Sequence, residues 1–220
     1  MRILHINDIA YVGSTLVAAQ RDAGHEASLL DPAKPGAALR YPWKVLSLPL
    51  RVVPIISTAI AIRRRRPDVV HVHYATQALP ALLAGRPYLV HCHGSDVRGV
   101  RPGSAAGRLL GLLLRRAGAV LFATPDLAPW VRAYRPDAAF LPNPVDVEAF
   151  APRPAEDRAS FEAGPRDLLV ATKAEAVKGI DEILAILRLV REARPATSVT
   201  VVSHGTRAAG TWQGAPGSKP

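Results

Sequence analysis

Two short apolar runs each carry histidines two residues apart, His71-Val72-His73 and His91-Cys92-His93. Side chains two apart on a strand share a face, so each pair can converge on one ligand or one metal ion. Carboxylates that would complete a metal shell are sparse, with Asp96 alone nearby, so no metal is predicted. Neutral histidines in a sheet can equally be satisfied by backbone carbonyls. His93, followed by the turn residues Gly94-Ser95, is the one best placed to face a cleft and hydrogen-bond a ligand oxygen, although a structural role fits it as well. Cys92 points away from its two histidine neighbours and therefore reads as a buried thiol rather than a nucleophile.

Two loops have the composition of anion sites. In Asn7-Asp8-Ile9-Ala10-Tyr11-Val12-Gly13-Ser14, Gly13 allows close backbone approach, and the free N–H groups of the following helix attract phosphate. A plain structural turn has the same composition, and the three spaced glycines of a dinucleotide fingerprint are absent. In the segment from Thr172 to Glu182, Lys173 and Lys178 straddle a strand-to-helix loop, so both ammonium groups can reach one pyrophosphate. Solvated loop lysines are the competing reading.

The elements that must position these residues are legible as an alternation. Short β-branched runs at residues 2–6, 27–30, 69–73, 88–92, 119–123 and 139–141 are separated by helical patterns at 14–23, 109–116 and 126–134. A second series begins with strands at 168–171 and 198–202 around a helix at 180–193. This rhythm predicts an α/β fold with a doubly wound parallel sheet, its strands covered on both faces. The expected organisation is a first domain over 1–151, a linker over 152–165, the start of a second Rossmann-like domain over 166–209 and a frayed tail over 210–220. Residues 41–66 combine an apolar stretch, broken by Pro49, Arg51 and Pro54, with the cluster Arg63-Arg64-Arg65-Arg66. It is too interrupted to span a bilayer as a clean helix; it suits either a core-packing helix with a basic end or a segment resting on an anionic membrane surface.

Composition narrows the partners. The chain has 220 residues, is 49% hydrophobic and carries a formal charge of +10, which describes a globular protein with an attraction for anions. Most of the excess lies in residues 1–150, with 18 Lys/Arg against 10 Asp/Glu. Aromatics are 5% and interleave with no basic run, so nucleic acid is the weakest of the anionic partners. One cysteine and a start that lacks secretory features predict a cytoplasmic protein, peripheral at the inner membrane face if the basic segment binds lipid.

The motifs also occur in an order that resembles the family-four retaining glycosyltransferases of the GT-B type. The carriers are Arg2-Ile3-Leu4-His5, Arg21-Asp22-Ala23-Gly24-His25-Glu26, Pro67-Asp68-Val69-Val70-His71-Val72-His73 and His93-Gly94-Ser95-Asp96. Further on, Pro142-Asn143-Pro144-Val145-Asp146 is similar to the family's Pro-Asn-Gly-Val-Asp, and Lys173 with Lys178-Gly179 to its basic residue and Lys-Gly. The resemblance implies a nucleotide-sugar donor, an unidentified acceptor, retention at the anomeric carbon, and no redox cofactor or metal. It assigns His93 to the catalytic cleft, Gly13 to the donor phosphate loop, and Lys173 and Lys178 to stabilisation of the departing nucleoside diphosphate. Tyr74, Ser95 and Asp96 become candidates for the acceptor cleft. The family's second domain also supplies two glutamates separated by seven residues, and no glutamate follows Glu192 here, so the donor half is expected to be incomplete. The alternative expectation is a noncatalytic acceptor-domain remnant that binds a partner or an anionic membrane.

Overall fold

The β-branched runs form strands because Val and Ile pack well on a pleated surface, and here they form them in parallel. In the computed structural model, which describes residues 1–35, 43–101, 103–148, 151, 167–171, 179–195, 197–202 and 210–211, the chain divides into two compact units, Met1–Phe150 and Ala151–Pro220.

The first unit holds β1 (Arg2–Ile6), β2 (Glu26–Leu30), β3 (Val69–His73), β4 (Tyr88–Cys92), β5 (Ala119–Phe122) and β6 (Ala139–Phe140). They form one sheet in the order β2-β1-β3-β4-β5-β6, every neighbouring pair parallel. The connecting helices are α1 (Val12–Asp22), α2 (Trp43–Leu46), α3 (Val52–Arg65), α4 (Leu79–Ala84), α5 (Ala105–Arg116) and α6 (Ala128–Arg132). This is the doubly wound Rossmann-like arrangement that the alternation predicts. At six residues, α4 is too short to show a period and is not foreseen by the pattern. The expected helix at 126–134 is a single turn of 3-10 helix, Pro125–Leu127, leading into α6.

The two sheet faces differ chemically. Leu4 and Ile6, Val70 and Val72, and Val90 and Cys92 lie on one side and form a single buried cluster with Ala59 and Ile62 of α3, Ala81 and Ala84 of α4, and Leu110, Leu113 and Leu114 of α5. The other side is apolar at the start of the strands, where Ile3 packs with Val17 of α1 and Ala27. Beyond that level β1, β3 and β4 carry histidines, flanked in register by Leu29 of β2 and Leu121 of β5. The expectation of strands apolar on both faces therefore holds for one face fully and for the other only in part.

Helix α5 shows how locally this is encoded. Ser104 is its N-cap and accepts from the Gly107 N–H at 3.0 Å, satisfying one of the first-turn donors. A Cβ on Gly107 would stand 2.3 Å from the Arg101 carbonyl oxygen, so no larger residue fits under that turn. The buried leucines at 110, 113 and 114 then recur at helical spacing.

The second unit has β7 (Asp167–Ala171), α7 (Ile180–Ala193), β8 (Ser198–Val202) and β9 (Gly210–Thr211), with β8 parallel to β7 and antiparallel to β9. The strand β9 falls at the start of the stretch read from sequence as a tail. The expected linker, 152–165, lies outside the described residues, as do Lys173, Lys178 and everything beyond Thr211. Gly179 adopts a left-handed conformation (φ 68°) as N-cap of α7, a reason for glycine at that position.

Replacing Ser104 with Ala should destabilise the first unit by about 1 kcal/mol, since it removes the only side-chain cap of α5 while leaving the buried leucines in place. Urea denaturation of Ser104→Ala against the parent chain measures this.

Candidate functional site

Parallel strands deliver their carboxyl ends to one edge of the sheet, where doubly wound folds bind ligands. The register there is specific: His5 of β1 lies beside His71 of β3, and His73 lies beside His91 of β4. Register partners share a face, as do residues two apart, so His5, His71, His73, His91 and His93 all project to one side. Five of the chain's seven histidines form one stack, adjacent rings lying 4.3 to 5.9 Å apart between centroids.

Hydrogen bonds give the stack a direction. Gln20 of α1 presents Oε1 to His5 Nε2 at 2.8 Å, so that nitrogen carries the proton and His5 Nδ1 is bare. His73 Nε2 then donates to His5 Nδ1 at 3.0 Å, and His93 Nε2 lies 3.4 Å from the bare His73 Nδ1. His93 is left with an unprotonated Nδ1, an acceptor. His91 donates through Nε2 to the Leu141 carbonyl at 3.0 Å, while its Nδ1 is buried with no partner, as is His71 Nε2.

Burial keeps these rings neutral. Desolvation lowers His73 to about 2, and the nearby His5, His93 and His91 add to the effect because a second charge would repel the first. His91 falls to about 4 by desolvation and the proximity of His93, against an opposing pull from the Leu141 hydrogen bond and Asp96. His93 falls to about 4 by desolvation. His5 and His71 are lowered by the same cause. Burial also drives the Cys92 thiol far upward, which excludes a thiolate nucleophile at neutral pH.

The loop after β4 is fixed by Asp96, which is 2% exposed. Its Oδ1 accepts from the N–H groups of His93 (3.1 Å) and Gly94 (2.8 Å), and its Oδ2 from Ala75 N–H at 2.8 Å. Asp96 thus ties the loop after β4 to the loop after β3, with both oxygens engaged by backbone. Gly94 has φ 125°, which only glycine adopts readily. Tyr74, itself at φ 83°, places its hydroxyl 3.0 Å from Ser95 Oγ, so the structure brings Tyr74, Ser95 and His93 together on two adjoining loops.

Gly13 sits in the first turn of α1, buried, and a Cβ there would stand 3.1 Å from the Asn7 carbonyl oxygen and 3.2 Å from Asp8 Oδ1. Glycine therefore lets α1 pack against the loop after β1. Asp8 Oδ1 accepts from the Ser14 N–H at 3.0 Å, taking one of the free first-turn donors. In this loop Asn7, Ala10 and Tyr11 all have positive φ, a local concentration of backbone strain of the kind found at ligand sites.

Three residues gain partners at the site that the sequence reading did not foresee. His5 and Gln20 belong to the histidine chain, and Asn7, 4% exposed, donates from Nδ2 to the His73 carbonyl at 2.9 Å while its Oδ1 accepts from Lys34 Nζ. The sequence signal for His5 was its place at the end of β1, but only the pairing of β1 with β3 puts it beside His71.

A six-stranded parallel sheet with a polar, strained rim at the carboxyl ends of β1, β3 and β4 defines a doubly wound Rossmann-like domain, the class of fold in which that edge is the usual place for ligands. The chain belongs to Glycosyltransferase Family 4, whose model matches residues 11–149. It is 29% identical over 204 residues to a phosphatidyl-myo-inositol mannosyltransferase of Mycolicibacterium smegmatis, covering 84% of this chain and 52% of that protein. It is 28% identical over 156 residues to a glycogen synthase of Mycobacterium tuberculosis, covering 66% of this chain and 37% of the relative. The chain thus spans about half the length of the first of these relatives and little more than a third of the second. Among solved structures, sucrose-phosphate synthase from Thermosynechococcus elongatus superposes with a TM-score of 0.64 at 12% identity, covering 94% of this chain and 63% of that one. A complex of S. aureus MnaA with UDP superposes at 0.58 and 15% identity, with the same two coverages.

The neutral histidine stack makes stability dependent on pH. Unfolded histidines titrate near 6.5 and His91 and His93 near 4 when folded, so below about pH 6.5 the unfolded chain binds more protons and stability falls. The loss is at most about 1.4 kcal/mol per pH unit for each histidine involved. Melting temperature should be level above about pH 6.5 and fall continuously toward pH ~4.5, with a shallower fall in His91→Asn; a melting temperature constant across that range contradicts the neutral stack.

Proposed function

We propose that the chain acts in glycosyl transfer from a nucleotide-sugar donor to an acceptor with retention of anomeric configuration. The observation that carries this reading is His93: a neutral histidine held by the Asp96-clamped loop at the carboxyl end of β4, its Nδ1 free to accept a hydrogen bond from a sugar hydroxyl. Tyr74 and Ser95, hydrogen-bonded to each other beside it, would line the acceptor side. Family membership supports the reaction class, and the names of the relatives, a mannosyltransferase and a glycogen synthase, support a sugar donor.

In this reading Lys173 and Lys178 neutralise the charge that develops on the departing nucleoside diphosphate, the step at which positioned cations contribute most. Within the first unit, the Gly13 turn and the N–H groups of α1 left open beside Ser14 have the chemistry to contact a donor phosphate. The bond from the anomeric carbon to the diphosphate oxygen breaks, a bond to an acceptor oxygen forms on the same face, and the acceptor's proton leaves with the diphosphate.

The acceptor is proposed to be met at an anionic membrane surface. Trp43, Leu50, Val53, Ile56 and Ile60 are all more than 40% exposed along the segment that leads through α3 to Arg63, Arg64, Arg65 and Arg66, while Thr58, Ala59 and Ile62 bury the opposite side of α3. Both readings of this segment thus find support on the same helix, one face packed and the other apolar and exposed with a basic end. Among the described residues no helix is long and apolar enough to cross a membrane. The relative whose name carries a phosphatidyl-inositol acceptor matches most of this chain, which supports the same setting.

Titration calorimetry with UDP, GDP and ADP should show binding of one of them, weakened about tenfold or more by Lys173→Ala and again by Lys178→Ala. Absence of binding to every nucleoside diphosphate tested removes the donor assignment. For the membrane contact, the chain should float with vesicles containing phosphatidylserine and not with neutral ones, and Ile56→Glu with Ile60→Glu should abolish flotation; indifference to lipid charge removes it.

A further inference from the structure

The histidine stack holds more ligand nitrogen than a hydrogen-bonded core requires. Two sets of three ring nitrogens each fall within 4.8 Å of one another: His5, His71 and His73, and His73, His91 and His93. Within the second set two nitrogens are already bare. His73 Nδ1 lacks a proton because Nε2 donates to His5, and His91 Nδ1 lacks one because Nε2 donates to Leu141. The His91 nitrogen is also buried without any partner, in a residue 0% exposed, which is costly for a polar atom unless something fills the position.

Two further features point to a cation. Metal-binding histidines almost always donate their other ring N–H to a carbonyl or carboxylate, which fixes the ring and raises its basicity. The His91 bond to Leu141 has that form. The spacing also fits: His73 Nδ1 and His93 Nε2 are 3.4 Å apart, long for a hydrogen bond between rings but close to the roughly 3.3 Å edge of a tetrahedron whose metal–nitrogen distances are about 2.0–2.1 Å.

We propose that His73, His91 and His93 bind one borderline transition-metal ion, with zinc(II) the representative, through His73 Nδ1, His91 Nδ1 and His93 Nε2. On binding, the His93 proton moves from Nε2 to Nδ1, so the ring stays neutral and no net proton is released. The set is chosen over His5, His71 and His73 because His93 alone among the five is partly exposed, which supplies an entry path and leaves a fourth coordination position for water or an added ligand. Asp96, buried under the same loop, interacts favourably with positive charge at His91 and offsets part of the ion's charge without being a ligand, since its oxygens are engaged by Ala75, His93 and Gly94. Imidazole-only donor sets suit zinc, copper and nickel and disfavour magnesium and calcium. This proposal does not rest on the sugar-transfer reading, and the two use His93 in exclusive states: with the ion bound Nδ1 carries the proton and no longer accepts from a sugar hydroxyl.

The test uses the full chain without a polyhistidine tag, stripped with EDTA and titrated near neutral pH with zinc chloride alone. One equivalent should bind, and cobalt(II) substituted for zinc should give the intense visible absorption of a tetrahedral site. Affinity should drop at least about 100-fold in His91→Ala, more than loss of an outer hydrogen bond alone costs, and stay within about threefold in His71→Ala, which belongs only to the other set and holds no proposed ligand by a hydrogen bond. If His91→Ala fails to fold by circular dichroism, His93→Gln, altered at the partly exposed rim, carries the same expectation. No uptake of zinc by the parent chain overturns the proposal. So does binding that survives His91→Ala or His93→Gln in a folded protein, or that is lost in folded His71→Ala.

Discussion

Five imidazole rings on one face of a parallel sheet cannot share a charge. Four are buried and His93 is partly so, and each would repel a proton on its neighbour, so at neutral pH the stack is uncharged. Neutrality in turn imposes order, because a neutral ring has one donor and one acceptor nitrogen. Gln20 at one end therefore sets the tautomers of His5, His73 and His93 in sequence and determines which nitrogen His93 offers. A glutamine on α1, remote in sequence from the loop after β4, thus bears on the chemistry of that loop.

The rim above the stack is held by short polar residues with every hydrogen-bonding group engaged. Asp96 fastens the loop after β4 to the loop after β3, and Asn7 fastens the end of β1 to β3 through the His73 carbonyl and to β2 through its own N–H on Leu30. The same rim contains Asn7, Ala10, Tyr11 and Tyr74 at positive φ, conformations that residues other than glycine seldom adopt. Asp96, a candidate for the acceptor cleft, is buried with three backbone partners, one of them the N–H of His93.

The opposite face of the sheet is conventional by comparison, an apolar layer under α3, α4 and α5. Helix α3 joins that layer by one side and presents valine and isoleucine outward by the other, ahead of a run of arginines. Helix α3 thus combines an exposed apolar side with a basic end, in the unit that carries most of the chain's charge excess.

The sequence by itself determined the parallel α/β alternation, the bounds of β1, β3, β4 and α7, and the family, because these depend on local propensity, short-range periodicity and motifs contiguous in the chain. It left the roles of Gly13, Lys173 and Lys178 as implications of family likeness. Gly13 is explained locally by close packing of α1 on the loop after β1, which motif reading alone does not separate from phosphate contact. Only the tertiary structure decided that His5 joins the other four histidines, that Gln20 orients them and that Asn7 and Asp96 clamp the rim. Those contacts span 15 to 68 residues and depend on which strands become neighbours and in what register. Side-chain alternation tells which residues of one strand share a face, but the strand order β2-β1-β3-β4 decides which faces of different strands meet, and that order is set by the packing of the whole sheet.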